Sequence, residues 1–310
     1  MRAIQVGEDR RFHLIETDEP VARGEQVVVR VDAISINRGE VLRARASGNG
    51  FRPGWDFAGV VHRAVARGGP AVGTRVVGFR YSGAWAEYVA VSPTSVAVLP
   101  DNISVEQAAT LPVAGLTALG ALDCGGSIAG RRVLVTGASG GVGSFAVNIA
   151  AAAGADVTAV VRRPAAECQD LLKGAARIFS VSSGLKGVDH GGPYDLIIDT
   201  LGGPALGDAL EMLTSLGRCV VVGVTDTAKT SFDAERFFMA GNATMQGYVL
   251  FRNGTGQTPA EGLERLLRLA TRGSLDLQVG LTANWTQTET VSEQLISRQF
   301  LGKAVLRLHD

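Results

Sequence analysis

Apolar and polar positions change their period about a third of the way along the chain. Up to about Pro100 the apolar residues come in short runs broken by Gly and Pro. Residues 26–31, 59–65, 74–79 and 85–91 read as strands of a compact, barrel-like β domain with no long helix. After Asp101 and Asn102 the spacing becomes helical. Ser104 and Gln107 make a capping box ahead of an Ala- and Leu-rich segment that reaches Leu122 and is interrupted at Pro112 and Gly115. The interruption marks the crossing into a second domain.

There, strands and helices alternate. Val133, Leu134 and Val135 form a run short enough for one buried parallel strand, which breaks at Gly137 into a glycine-rich turn. Val142, Phe145, Ala146, Ile149 and Ala150 then recur at helical spacing up to Gly154, and residues 156–161 make the next strand. The alternation continues with a helix over 165–172, a strand over 177–180, a Ser- and Gly-rich loop over 182–193, a strand over 194–200, a helix over 204–213 and a strand over 218–224. This is the pattern of an α/β fold with an open, doubly wound parallel sheet and helices on both faces. Ligands of such sheets sit at the carboxyl ends of the strands, which puts the glycine turn, Thr200-Leu201-Gly202 and Gly223-Val224-Thr225 on one rim. Further on, Thr258, Pro259 and Glu261 start a helix that Gly273 stops, Thr288 caps another, and 303–308 is a last strand.

Gly140, Gly141 and Gly143 let the backbone come close to a pyrophosphate, whose charge meets the unpaired N–H groups and positive dipole end of the following helix. Readers of an unphosphorylated ribose place an acid about 20 residues further on, whereas readers of a 2′-phosphate place an arginine there. Arg162 and Arg163 stand at that point with no acid beside them, which selects NADPH, the bland alternative being a solvated arginine pair.

Composition narrows the setting. The chain has 310 residues, 46% of them hydrophobic, enough for two cores, and its 30 basic and 30 acidic residues balance. That balance gives no reason to expect nucleic acid or an anionic membrane as partner. The N-terminus lacks a signal-type apolar core and no apolar run is long enough to span a bilayer, so the expected compartment is the cytoplasm. Cys124, Cys168 and Cys219 lack CxxC spacing and read as small buried residues. His62 and His190 show no triad spacing and read as surface residues.

With those pieces placed, the whole chain resembles the medium-chain dehydrogenase/reductase superfamily, in its zinc-free quinone oxidoreductase and enoyl reductase branch. The resemblance rests on motifs in order: Ser35-Ile36-Asn37-Arg38-Gly39-Glu40, Pro53-Gly54-Trp55-Asp56-Phe57-Ala58-Gly59, Gly83-Ala84-Trp85-Ala86-Glu87-Tyr88, Leu111-Pro112-Val113-Ala114-Gly115, the glycine turn, Asp199-Thr200-Leu201-Gly202-Gly203 and Gly302-Lys303-Ala304-Val305-Leu306. It implies a β-rich GroES-like catalytic domain over 1–115, a Rossmann dinucleotide-binding domain over 116–248, a return to the catalytic domain over 249–310 and an active site in the cleft between domains. Zinc-dependent relatives carry Cys where this chain has Asn37, and His-Glu where it has Trp55-Asp56. No metal is therefore expected, because Trp cannot ligate zinc.

A hydride acceptor that works without a Lewis acid should itself be electrophilic, as a quinone or an α,β-unsaturated carbonyl is. The resemblance implies that Asn37 faces the nicotinamide and substrate as a polar donor; the residues alone equally allow an Asn serving a local turn. Tyr81 and Ser82 either orient substrate or relay a proton, or simply make a turn. Trp55 and Trp85 are apolar walls or core. The tyrosine common after the Asn segment is replaced by Arg43, Arg45 and Ser47, which leaves the proton donor unassigned, water included. By family position Thr117 touches the nicotinamide, Gly140, Gly141, Val142 and Gly143 the pyrophosphate, Arg162 and Arg163 the 2′-phosphate, and Gly223, Val224, Tyr248, Val249 and Leu250 the nicotinamide ribose. The strand near 244–249 lies at a sheet edge in relatives and pairs with a twin, so a homodimer is expected. Two other readings stay open: a nucleotide-binding sensor or structural protein with little redox turnover, and a non-redox lyase or isomerase on the same fold.

Overall fold

The structure, a computed structural model, describes residues 1–65, 68–188, 192–252 and 257–309. His190 lies outside them. The chain divides into two compact units, Met1–Leu116 with Gly256–Asp310, and Thr117–Thr255.

The first unit opens with an antiparallel hairpin of β1 (Arg2–Val6) and β2 (Phe12–Glu16). There follow β3 (Val27–Ile36), α1 (Arg38–Ser47), β4 (Asp56–Arg63), β5 (Arg75–Phe79), β6 (Tyr88–Val91), β7 (Val96–Val98) and α2 (Val105–Ala109). The strand expectations hold here with shifted ends, but α1 is a ten-residue helix in a stretch read as free of long ones. Its buried face is only Glu40, Val41 and Ala44, too small an apolar stripe to read against the surrounding arginines. Ser104 caps α2 as expected, its hydroxyl accepting from Gln107 N–H at 3.2 Å. The interruption falls at Pro112 alone, the first residue of α3 (Pro112–Asp123); Gly115 lies inside that helix.

The sheet unit contains β8 (Arg132–Thr136), α4 (Gly141–Ala152), β9 (Asp156–Val161), α5 (Ala165–Cys168), β10 (Arg177–Ser180), β11 (Tyr194–Asp199), α6 (Gly203–Leu210), β12 (Leu213–Val221), α7 (Ala234–Ala240) and β13 (Thr244–Gly247). Its strands run parallel in the order β10-β9-β8-β11-β12-β13. The connections run outward on both sides of the β8/β11 junction, so right-handed crossovers place helices on both faces. Val133, Leu134, Val135, Ile197 and Val220 are fully buried, which is why these strands read as unbroken apolar runs. Two boundaries differ from expectation. α5 is one turn long, and β12 starts at Leu213 where a helix was expected to end. Leu213 pairs with Tyr194, then the register shifts and Leu216 turns out at φ 62 before pairing resumes at Arg218.

The chain then returns to the first unit through α8 (Pro259–Thr271), β14 (Val279–Asn284), α9 (Thr288–Ile296) and β15 (Lys303–Arg307). β15 pairs antiparallel with β3, giving a seven-stranded sheet of path β14-β15-β3-β4-β5-β7 with β6 on β3. Leu306 and Ala304 join Ile34, Phe57, Trp85 and Trp285 in its core. Among the described residues no helix is long and apolar enough to cross a membrane.

Candidate active site

On the sheet unit, the end of β8 is tied to the end of β11. The Thr136 hydroxyl donates to Asp199 Oδ1 at 2.6 Å, Gly202 N–H donates to Asp199 Oδ2 at 2.8 Å, and the Thr200 hydroxyl donates to the Thr136 carbonyl at 2.9 Å. Burial pushes the Asp199 carboxyl up, and the Thr136 hydroxyl with the Gly202 and Leu201 N–H groups pulls it back. Between the two strand ends the chain turns at Gly137, whose φ of 59 and a Cβ position only 2.2 Å from Thr200 Oγ1 both demand glycine.

The helix that follows fits a diphosphate. Gly140 is the N-cap of α4 and has no side chain to cap it; the first bond of the helix ladder is Ser144 N–H to Gly140 O at 2.9 Å. The amides of Gly141, Val142 and Gly143 precede that ladder, at the positive end of the helix dipole. A Cβ on Gly143 would come within 2.5 Å of Gly137 O, so the helix start sits directly against the turn.

The rest of the rim follows from the sheet order. Arg162 stands directly after β9, exposed, and its guanidinium lies 3.2 Å from Asp226 Oδ1. The picture of an arginine pair with no acid at hand is corrected here: the acid comes from the loop after β12, which no local pattern announces. Arg163 lies 3.6 Å from Glu167, one turn along. Gly223 rests against the Thr200 carbonyl and Val224 is exposed. Tyr248 is buried, its phenol against Gly120 of α3, and its N–H donates to Val221 O at 2.8 Å; Val249 beyond it is exposed and Leu250 half-buried. Thr117 is buried in α3.

In the first unit, Asn37 sits at the start of α1. Its side-chain Nδ2 donates to Asp56 Oδ2 at 2.8 Å and to Glu40 Oε2 at 3.4 Å, while its Oδ1 accepts from Lys303 Nζ at 2.6 Å. Lys303 also reaches Ile36 O at 3.2 Å and Asp56 Oδ2 at 3.4 Å. Asp56 Oδ1 accepts from Val113 N–H at 2.9 Å. Burial pushes Glu40 well above the usual carboxylate range and the Asp56 charge adds to it. Burial lowers Lys303, against the pull of Asp56 and Glu40. We read the cluster as a neutral Glu40 beside an Asp56–Lys303 ion pair, because one ammonium balances one carboxylate in a dry core.

Trp55 connects this cluster to Tyr81. Its ring faces Gly39 of α1, with 3.7 Å from the glycine's Cβ position, and its Nε1 donates to Tyr81 O at 3.1 Å. Tyr81 is exposed and edge-on to Phe79, while the Ser82 hydroxyl donates to Arg52 O at 2.6 Å. Trp85 is core, edge-on to Phe12. His62 is exposed, and Cys168 and Cys219 are buried. Among the described residues no three His, Cys, Asp or Glu side chains gather as a metal site.

The chain matches two family models, an alcohol dehydrogenase GroES-like domain over residues 23–101 and a zinc-binding dehydrogenase domain over 141–268. The quinone oxidoreductase of Homo sapiens is 31% identical over 247 residues, which cover 75% of this chain and 74% of that protein. The chain belongs to the medium-chain dehydrogenase/reductase superfamily. Within it, the chain falls in the quinone oxidoreductase branch. The structure of the Thermus thermophilus quinone oxidoreductase, described with its NADPH complex, superposes with a TM-score of 0.84 at 30% identity, over 99% of this chain and 100% of that one. A highly reducing polyketide synthase of Arthrinium phaeospermum is 31% identical along 97% of this chain, which spans only 13% of that much longer protein.

The predicted residues fall in different settings: Gly140 to Gly143 and Arg162 stand at strand ends of the sheet unit, Thr117 and Tyr248 are buried in and against α3, and Asn37 stands at the start of α1 in the first unit. Sequence reasoning missed Lys303 and Glu40 as partners of Asn37, although both stand in the motifs that carried the resemblance. It missed Asp226 altogether.

Proposed function

We propose that the chain is an NADPH-dependent reductase that transfers hydride to a quinone or an α,β-unsaturated carbonyl without a metal. The observation that carries this reading is the glycine turn opening α4 at the switch point of the sheet, beside an arginine at the end of β9. Bound there, NADPH supplies the hydride.

The chain's own residues do the rest. The amides of Gly141, Val142 and Gly143 hold the diphosphate, and Arg162, with Arg163 near it, takes the 2′-phosphate. Thr117, Gly223, Val224 and the main chain of 248–250 serve the nicotinamide ribose side. The expected donor role of Asn37 is narrowed, because Asp56 and Glu40 take both hydrogens of its amide and Lys303 takes its oxygen; it acts on the acceptor as a fixed dipole that cannot turn. Tyr81 orients the acceptor or relays the proton that water supplies.

Metal independence is supported by what occupies the positions where zinc-dependent relatives hold their ligands. The indole of Trp55 is a donor only and donates to Tyr81 O. The Asp56 carboxylate already accepts from Asn37 and Val113 and pairs with Lys303. These residues do not fit a zinc ion, despite the name of the family model.

We also propose a homodimer joined through β13. It is the outer strand of its sheet, with Met245, Phe238, Met239 and Leu216 exposed on it and nearby.

The activity is tested by adding NADPH and a panel of quinones and enones to purified protein. We expect NADPH absorbance to fall with at least one class, with or without a chelator. Tight NADPH binding without consumption by any acceptor would point to a nucleotide-binding protein instead.

A further inference from the structure

We propose that Arg162 and Asp226 form a strap across the glycine turn that any dinucleotide must open to enter, and that only a 2′-phosphate gives Arg162 a new partner once it is open. Asp226 thereby acts as a second affinity-setting residue of the nucleotide site.

The geometry runs from strand to strand. Arg162 directly follows β9, in which Val160 pairs with Thr136 at the end of β8. Asp226 is pinned over the end of β11: its N–H and that of Thr225 both donate to Leu201 O, at 2.9 and 3.1 Å, and the Thr225 hydroxyl donates to Thr200 O at 3.0 Å. β9 and β11 flank β8, so their ends are separated by two strand spacings, about 10 Å. The guanidinium closes that gap with its 3.2 Å approach to Asp226 Oδ1. The pair therefore bridges the end of β8, where the chain turns through Gly137 into α4 and where a diphosphate would lie on the amides of Gly141 to Gly143. With side chains 39% and 30% exposed, both ends reach solvent, and neither is held in place by burial.

The energetic consequence separates the two cofactors. An entering dinucleotide breaks the pair whether or not it is phosphorylated. NADPH returns a phosphate to the freed guanidinium, whereas NADH leaves it with water. Arg162 thus opposes NADH as well as favouring NADPH, and discrimination comes from both directions. The NADPH arm rests on the reading of Arg162 as the 2′-phosphate ligand; the NADH arm does not.

The test is a fluorescence titration of NADPH and NADH against the full chain and the variants Asp226→Asn, Arg162→Gln and the double variant. Exposed ion pairs of this kind set the scale at about two- to fivefold in Kd. Arg162→Gln should tighten NADH by that factor while weakening NADPH. Simple loss of a positive charge near an anion would do the opposite to NADH. Asp226→Asn should tighten both cofactors alike, and in the Arg162→Gln background it should no longer affect NADH, because either change alone removes the single pair. Asp226→Asn tightening NADH equally in both backgrounds would reduce Asp226 to a repelling charge and overturn the strap. Weaker NADPH with unchanged NADH in Asp226→Asn would make Asp226 a prop for Arg162 and overturn it as well. If Arg162→Gln tightens both cofactors by the same factor, the strap stands and the 2′-phosphate reading falls.

Discussion

Glu40, Asp56 and Lys303 bring two carboxyls and one ammonium into a buried space around one asparagine amide. Among the described residues Lys303 is the one cation of that cluster, and removing it leaves Asp56 charged without a counter-ion. Lys303→Met should therefore destabilise the protein by about 3–5 kcal/mol, read from urea unfolding. Loss of the exposed Arg2–Glu87 pair should cost less than about 1 kcal/mol. Glu40 gives a pH dependence with a definite sign. Its folded-state pKa lies well above 4.5, so the folded chain keeps a proton that the unfolded chain releases. Stability should fall as pH rises from that ordinary value toward the raised one. Glu40→Gln keeps an acceptor for the Asn37 N–H, at 3.1 Å in the native chain, and should flatten the decline. A decline of equal slope in the variant would show that another group causes it. Asn37 was legible as a site residue from its motif, but its side-chain commitments were not, because Lys303 meets it from β15 at the far end of the sequence.

At the scale of elements, β8, the glycine turn, α4 and β9 could be read almost residue by residue. Buried parallel strands make continuous apolar runs, and the turn needs glycine for reasons that hold locally. Two of the glycines at the turn and the start of α4 should behave differently. Gly143→Ala drives a methyl into the Gly137 carbonyl and Ala138 backbone, both closer than 3 Å, and should cost about 1–3 kcal/mol of stability. Gly140→Ala, at φ -82 with only Gly137 O at 3.4 Å, should leave stability within about 0.5 kcal/mol while weakening NADPH binding. Paired thermal unfolding and nucleotide titration read both, and equal stability losses would mean that the turn is not seated as described. Elements held by tertiary contact were the ones missed. α1 buries only a Glu, a Val and an Ala, and the start of β12 hides behind a looped-out Leu216; α7, missed as well, is a local case, since it buries no side chain and starts on its Asp233 cap. The Arg162–Asp226 pair belongs with them, since it depends on strand order, which no local pattern encodes.

For the whole molecule, the two-part α/β organisation was readable from the change of hydrophobic period, because each part keeps one periodicity over a long stretch. The proposed self-association is tested at this scale. The native protein should sediment as a dimer, and Met245→Asp, placing a charge on the outer edge of β13, should shift it to a monomer while keeping NADPH binding; an unchanged sedimentation coefficient would move the contact elsewhere. One consequence follows from where β15 stands in the chain. The sheet unit is one continuous segment, so a nascent chain can close it as soon as β13 has emerged. Asp56 is translated early, yet its ammonium partner arrives 247 residues later. On the ribosome the nucleotide half is thus complete while the other half still waits for its last strand.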